Sequence, residues 1–496
     1  MADTLGIVQV MAASAVGTGA ISRVFIRDAS TAGTGMLLLG EATMLVSVLP
    51  DQLRRPLLLL PAGLIALALL LLAARVVRTR SWRGGLLVLA AGGVALRVPI
   101  DLGAEHYNLL VPLYAVIAVA GIVLLLDDAA GLAAPAHTSA RALDAGVVAF
   151  VVLAALSVSW SGERAASAEK VALVYGPFLV LYLVVREWLG ARPGGAFPAN
   201  VVKRMGGAFL GVMTVAAAAG VWQWTTESVW QNRKVEVANS FAPNFRTNSI
   251  FWDPNIYGRY LVAALLLLGV WLACVRAGRR TTCAAIGGIA LLGTGLWFTY
   301  SQSSFAALAA ASLLLCLLLL PGRWRVGVAV VMLGALLALP LASRELSGRD
   351  EESRRTVASR GLALASERPI HGLGVGSFSE AVRVQAAQRG EQRPRQLDSH
   401  TTPITILAEL GVLGLAAYLL VLVSAGAATV AGAGQRRAAA LGHTDGPSPA
   451  LAWWAGATFV ALVAHSMFYA GFFEDPLVWA CLALLGATTA RNRSPG

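Results

Sequence analysis

A histidine, a few arginines and one carboxylate stand out in a chain otherwise poor in polar side chains. His400 lies in DSHTTPITILAELGVLG, residues 398–414, at the start of a long apolar helix whose first turn includes Thr401, Thr402 and Pro403. Imidazole titrates close to neutral pH, so a histidine in this place can act as general acid or base. Proline behind Ser or Thr is also an ordinary helix start, and a capping or loop-bonded His400 is the plainer account of the same residues. Glu409 falls about two turns further along. If that helix spans a bilayer, its carboxylate needs a polar partner or a cavity. A second segment, FRTNSIFWDPNIYGRYL at 245–261, sets Arg246 on a loop and Arg259 just inside the next helix, with Asp253-Pro254-Asn255 as the turn between them. Guanidinium is suited to binding phosphate bidentately. A surface arginine at 246 and a snorkelling one at 259 are the bland alternatives.

Three further stretches carry weaker signals. TYSQSSF, 299–305, places a polar hinge containing Gln302 between two apolar runs. His465, in VALVAHSMFY, is an ionisable residue within an apolar run, where a neutral, hydrogen-bonded packing histidine is the plain expectation. GLGVGSF, 372–378, has the glycine spacing of a nucleotide loop but no preceding strand and no acidic partner; its glycines suit a tight turn or a close approach. No HExxH, DxD, Walker loop or Cys/His ligand set occurs, so the sequence gives no support for a metal or cofactor.

The elements that must position these residues follow from composition. The 496 residues are 57% hydrophobic and 13% charged, against roughly 25% charged in soluble chains. That excludes a soluble globule, a disordered chain and a secreted disulfide scaffold, and it indicates an all-α polytopic membrane protein. Apolar runs of spanning length number about 13 to 15, among them 56–77, 256–275, 324–342 and 403–430, with a weaker one at 5–21. The four cysteines show no CxxC spacing. The expected organisation is N-terminal membrane helices over 1–200, central helices over 201–342 with an outer loop at 225–255, a large extracytoplasmic loop at 343–402, and C-terminal helices over 403–496.

The net charge of +12 would suggest nucleic acid in a soluble protein. Here most of it sits in short arginine clusters, among them Arg75 to Arg83 and Arg276 to Arg280, which mark cytoplasmic loops. Asp127 and Asp128 fall on that same side, against the trend. The alternation puts 225–255 and 343–402 outside. The second of these holds ten arginines, including Arg354, Arg355 and Arg360, against eight acids. Within it, SRRTVASRGLALAS at 353–366 has a helical pattern suited to the membrane interface, ended by Pro369.

Taken in order, the arginine before a PN turn, the T-x-S-x-S hairpin, ERPIHGLGVGSF and SHTTPITILAELGVLG resemble the O-antigen ligase / O-antigen polymerase family over about residues 200–430. The resemblance implies a glycosyltransferase C-type bundle and a metal-independent, inverting transfer of a glycan from an undecaprenyl-pyrophosphate carrier. The acceptor hydroxyl would belong to a glycan, a lipid or a protein, at the outer face of the cytoplasmic membrane, with membrane lipid as the surrounding partner and no nucleic acid. It also implies that His400 is the catalytic base and Arg246 the catalytic, diphosphate-binding arginine. The family commonly carries Arg where this chain has Gln302, so Arg259, Arg354, Arg355 or Arg360 would supply the missing charge, with Gln302 and Glu409 also lining the substrate site. Thr401 stands where the family has Asn. A transporter or flippase of lipid-linked glycans is the alternative; it would spread charges along the bundle interior and place its site near the midplane.

Overall fold

The computed structural model describes residues 2–48 except 27–29, 80–130 except 103–104, 141–190, 199–319 except 231, 243, 275 and 276, 357–390, 401–431 and 448–489 except 470, together with 326, 327 and 330. His400, Arg354 and Arg355 lie outside the described residues, as do the expected spans at 56–77 and most of 324–342.

Helices dominate. They are α1 (Ala2–Phe25), α2 (Ser30–Val48), α3 (Arg80–Gly93), α4 (Val111–Ala129), α5 (Arg141–Ser157), α6 (Arg164–Leu189), α7 (Ala199–Thr226), α8 (Arg233–Phe241), α9 (Pro254–Cys274), α10 (Arg279–Thr299), α11 (Gln302–Leu319), α12 (357–367), α13 (Phe378–Gln388), α14 (Thr402–Val430), α15 (Ser448–Ser466) and α16 (Pro476–Thr489). Eight of them are long and apolar enough to cross a membrane, and three shorter ones are equally apolar, so the chain is an all-α, multi-pass membrane protein. A hairpin departs from this pattern: β1 (Val98–Leu102) pairs antiparallel with β2 (Glu105–Leu109), Val98 opposite Leu109. The apolar-run reading did not anticipate it, since ten residues of mixed polarity carry no spanning signal.

One apolar core runs through the bundle, and a small satellite of Val357, Leu364, Ala365, Phe378, Val382 and Ala408 lies beside it. The satellite shows that α12 buries its apolar side against α13 and α14, where the sequence suggested a helix lying on the interface. At the start of the chain, α1 and α2 come into backbone contact: a Cβ on Gly19 would sit 2.4 Å from Leu37 N, and one on Gly33 2.5 Å from Arg23 N. Small residues at such crossings replace the hydrophobic drive that lipid removes.

The acidic pair that ran against the charge rule is explained by burial. Helix α4 extends through Ala129, so Asp127 and Asp128 sit inside it at 0% and 4% exposure. Arg83 pairs with Asp127 at 2.7 Å, and Arg23 with Asp128 at 2.9 Å and with Glu187. Thr34 also donates to Asp128. These charges clamp α1, α2, α3, α4 and α6 together at one end of the bundle. Asp144 and Arg186 form a second buried pair, with two bonds of 2.6 Å and a further one from Tyr182.

Helix α6 contains a π turn over Val171–Tyr175. Its cause is Pro177, which has no N–H and whose ring crowds the carbonyl four residues earlier. That carbonyl, on Leu173, accepts instead from the Tyr114 hydroxyl at 2.6 Å.

Candidate active site

Arg246 is held from three directions. Asn239 of α8 grips its backbone on both sides, donating to Arg246 O at 2.9 Å and accepting from Arg246 N at 3.1 Å. The short helix is itself anchored by its N-cap Asn232, which accepts from Lys234 N and donates to Trp252 O. The Arg246 guanidinium then donates from Nε to Thr299 O at 2.9 Å and from Nη2 to Asn255 Oδ1 at 3.3 Å. Thr299 ends α10, so the cation also lies at the negative pole of a helix. Asn255 enters α9 through the Asp253-Pro254 start, where Asp253 Oδ1 accepts from Asn255 N at 2.6 Å. Opposite, the TYSQSSF hinge turns through Tyr300 at φ 47° and brings Ser301 Oγ within 2.8 Å of Asn255 Oδ1.

Arg259 does not snorkel. It is 5% exposed, with Nη1 2.8 Å from Asp475 Oδ2 and Nη2 3.2 Å from His465 Nδ1. Its guanidinium is thus held by protein partners, Asp475, His465 and the Gly471 carbonyl. Tyr260 donates to the other oxygen of Asp475 at 2.7 Å. Beside Tyr260 sits Arg97, stacked on the rings of Phe251 and Tyr260 at 4.7 and 5.0 Å, and no carboxylate pairs with it among the described residues. His465 is fully buried. Its Nε2 lies 3.1 Å from Ser303 Oγ and 3.2 Å from Asn255 O.

The glycine motif packs against protein backbone. Helix α14 is broken at Gly411, with φ 64° and ψ −162°, a conformation essentially reserved for glycine. Into this break fits the strip 369–374: Leu373 N donates to Ala408 O and Gly374 N to Glu409 O, while Val412 N donates to Pro369 O at 2.8 Å. Gly372 has φ 70°, and a Cβ there would lie 2.3 Å from Glu409 C; a Cβ on Gly411 would lie 2.3 Å from Ile370 O. The close approach expected of these glycines is real, but its object is the broken helix.

Glu409 is buried and bound from two sides. Its Oε1 accepts from Phe378 N at 3.3 Å, and its Oε2 faces Lys170 Nζ at 3.7 Å. Lys170 also pairs with Glu474 at 2.6 Å. The partner demanded by a carboxylate at this depth is thus an ammonium on α6, just ahead of the π turn. The neighbouring acids Glu474 and Asp475 reach different cations, Lys170 and Arg259, and so tie the Glu409 cluster to the Arg246 cluster. Because the Lys170 ammonium lies beside it, the Glu474 carboxyl is held below its ordinary range.

The structure therefore gathers Arg246, Arg259 and Glu409 at one end of the bundle, with Gln302 half-buried as the first residue of α11. Arg360 is half-buried on α12. Sequence reading passed over Arg97, Lys170, Tyr260, Glu474 and Asp475 as site residues. A lysine, an arginine or an aspartate within or beside an apolar run was the available signal, since each must find a partner.

Residues 287–419 match the family model described as O-antigen ligase. No curated protein matches the chain. The matched stretch includes the TYSQSSF hinge, the glycine strip and the broken helix; Arg246, Arg259, His465 and Asp475 lie beyond it. The resemblance read from the sequence is supported there, and with it a glycan-transferring ligase or polymerase in a multi-pass membrane protein.

Proposed function

We propose, from the O-antigen ligase match and the geometry around Arg246, that the chain transfers a glycan from an undecaprenyl-diphosphate carrier to an acceptor hydroxyl at the outer face of the cytoplasmic membrane. The observation that carries this reading is the fixing of Arg246 by Asn239, Thr299 and Asn255. A pre-positioned guanidinium stabilises charge as it develops without reorganising. In the transfer, the acceptor oxygen forms the new glycosidic bond at the anomeric carbon while the bond to the diphosphate breaks. The bonding electrons leave with the diphosphate towards Arg246, and His400 takes the hydroxyl proton. Attack opposite the leaving group inverts the anomeric centre. No metal enters this scheme. Among the remaining cations, Arg97 stacks on Phe251 and Tyr260 beside Arg259, and Arg354, Arg355 and Arg360 belong to the same outer loop in sequence.

The outward placement rests on charge: the arginine-rich ends of α3 and α10 lie opposite the site, and such clusters stay in the cytoplasm. Purified protein given a defined undecaprenyl-diphosphate glycan and acceptor provides the test. His400→Ala and Arg246→Ala are each expected to lower transfer by about 10²–10³-fold with insertion intact. Near-normal transfer by either variant would remove that residue from the scheme. In the same assay a ladder of product lengths marks a polymerase and a single transferred block marks a ligase.

A further inference from the structure

Arg246 is reached by a chain of polar contacts that begins on the C-terminal helices, outside the matched segment. We infer that His465 is a positioning residue for Arg246, acting through an ordered relay of hydroxyl groups; this rests on the reading that Arg246 binds the carrier diphosphate. A guanidinium can only donate. Arg259 Nη2 at 3.2 Å therefore requires His465 Nδ1 to be an acceptor, which puts the ring proton on Nε2. Asp475 and the Tyr469 ring hold Arg259 in place to impose this, the ring centroid lying 5.6 Å from its guanidinium carbon.

The tautomer sets the direction of everything beyond it. His465 Nε2–H donates towards Ser303 Oγ at 3.1 Å, with Asn255 O alongside at 3.2 Å. Ser303 is then an acceptor from the ring, and its own proton is turned to Ser301 Oγ, 3.1 Å away. Ser301 in turn donates to Asn255 Oδ1 at 2.8 Å. That oxygen is the one that receives Arg246 Nη2. In this order every donor faces an acceptor, and Ser304 Oγ, 2.8 Å from Ser301 Oγ, and Asn255 O, 3.2 Å from the ring, flank the path as further partners. The last member of the path donates to the same Asn255 oxygen that Arg246 requires, and so holds that amide in place from the other side. Beside the backbone contact with Asn255 O, both ring nitrogens reach side chains of other elements, and one of those leads to Arg246.

A double-mutant cycle on carrier affinity distinguishes this role from general support, because coupled residues lose additivity and independent ones do not. Undecaprenyl diphosphate in detergent is the probe, with undecaprenol as the control lacking phosphate. His465→Leu and Ser303→Ala are each expected to weaken binding about ten-fold when Arg246 is present, as for loss of a hydrogen bond that supports a charge. Neither should weaken it further in an Arg246→Ala background. His465→Gln, whose amide can accept from Arg259 and donate to Ser303 at once, should stay within about two-fold of wild type. Ser303→Ala removes a single hydroxyl and keeps the test available if His465→Leu does not insert. If Arg246→Ala weakens binding but Ser303→Ala and His465→Leu do nothing, or cost the same in both backgrounds, the relay is overturned and the Arg246 reading stands. If Arg246→Ala leaves affinity unchanged, both fall.

Discussion

Lys170 carries two carboxylates with different consequences. Glu409 is 5% exposed on its side chain and depends on Lys170 and a backbone N–H, whereas Glu474 is 42% exposed and keeps contact with water. Lys170→Met strands the Glu409 carboxylate and is expected to cost about 3–5 kcal/mol, the range for breaking one side of a buried pair. Glu474→Gln should be mild at neutral pH. The sign of its pH dependence follows from the depressed carboxyl pKa. A group with a lowered folded-state pKa stabilises fully above its unfolded value, and that contribution is lost as pH falls through the folded value. Thermal unfolding in detergent should therefore separate wild type from Glu474→Gln at pH 7, and the difference should vanish only below the usual carboxylate range, about pH 4. A gap that persists well below that point would show that the pair contributes through something other than charge.

At the scale of elements, the break in α14 decides whether the glycine strip can dock. Gly411→Ala forces a side chain into a glycine-only conformation, with its Cβ 2.3 Å from Ile370 O. Strain of that kind costs about 1–3 kcal/mol before the clash is counted. The strip 369–374 should come loose, read as new proteolytic cleavage there and loss of transfer, while the bundle persists. Gly426 lies in the same helix with open space around its Cβ position, so Gly426→Ala should be neutral or slightly stabilising in the same measurement. Two equally apolar-looking glycines thus have opposite expectations, and hydropathy does not separate them. The same limit governs how much the sequence disclosed. Helix positions were legible to within a few residues: 403–430 was expected and Thr402–Val430 found, 256–275 expected and Pro254–Cys274 found, because bilayer thickness enforces a uniform apolar length. Partners were not legible. That Asp475 would meet Arg259, 216 residues earlier, or Glu409 meet Lys170, depends on which helices become neighbours. Local pattern does not encode that choice; it says only that each buried charge must have an answer somewhere.

Across the whole molecule, charge divides by end. The pairs of Arg23, Arg83, Asp127, Asp128 and Glu187 close one end, and Arg246, Arg259, Asp475 and the Lys170 cluster occupy the other. A helix such as α10, 21 residues long, separates Arg279 from Thr299 by about 30 Å at 1.5 Å per residue, enough to set the two ends on opposite faces of a bilayer. Net charge alone could not express this, since +12 sums both ends; on the proposed reading one group of arginines orients the chain and the other faces the carrier diphosphate. If the orienting population is cytoplasmic, the site end must open to the outside, and thiol labelling can read that directly. In a background with Cys274, Cys283, Cys316 and Cys481 replaced, Phe241→Cys places a thiol on α8 beside the Arg246 loop, where Phe241 is 86% exposed. Gly278→Cys places one at the exposed turn before α10. A membrane-impermeant maleimide added to intact cells, or to spheroplasts where an outer barrier intervenes, should modify the first and reach the second only after the membrane is opened. The reverse result would put the site in the cytoplasm, where a carrier-linked glycan awaiting transfer outside could not reach Arg246, and the proposed reaction would have to be abandoned with it.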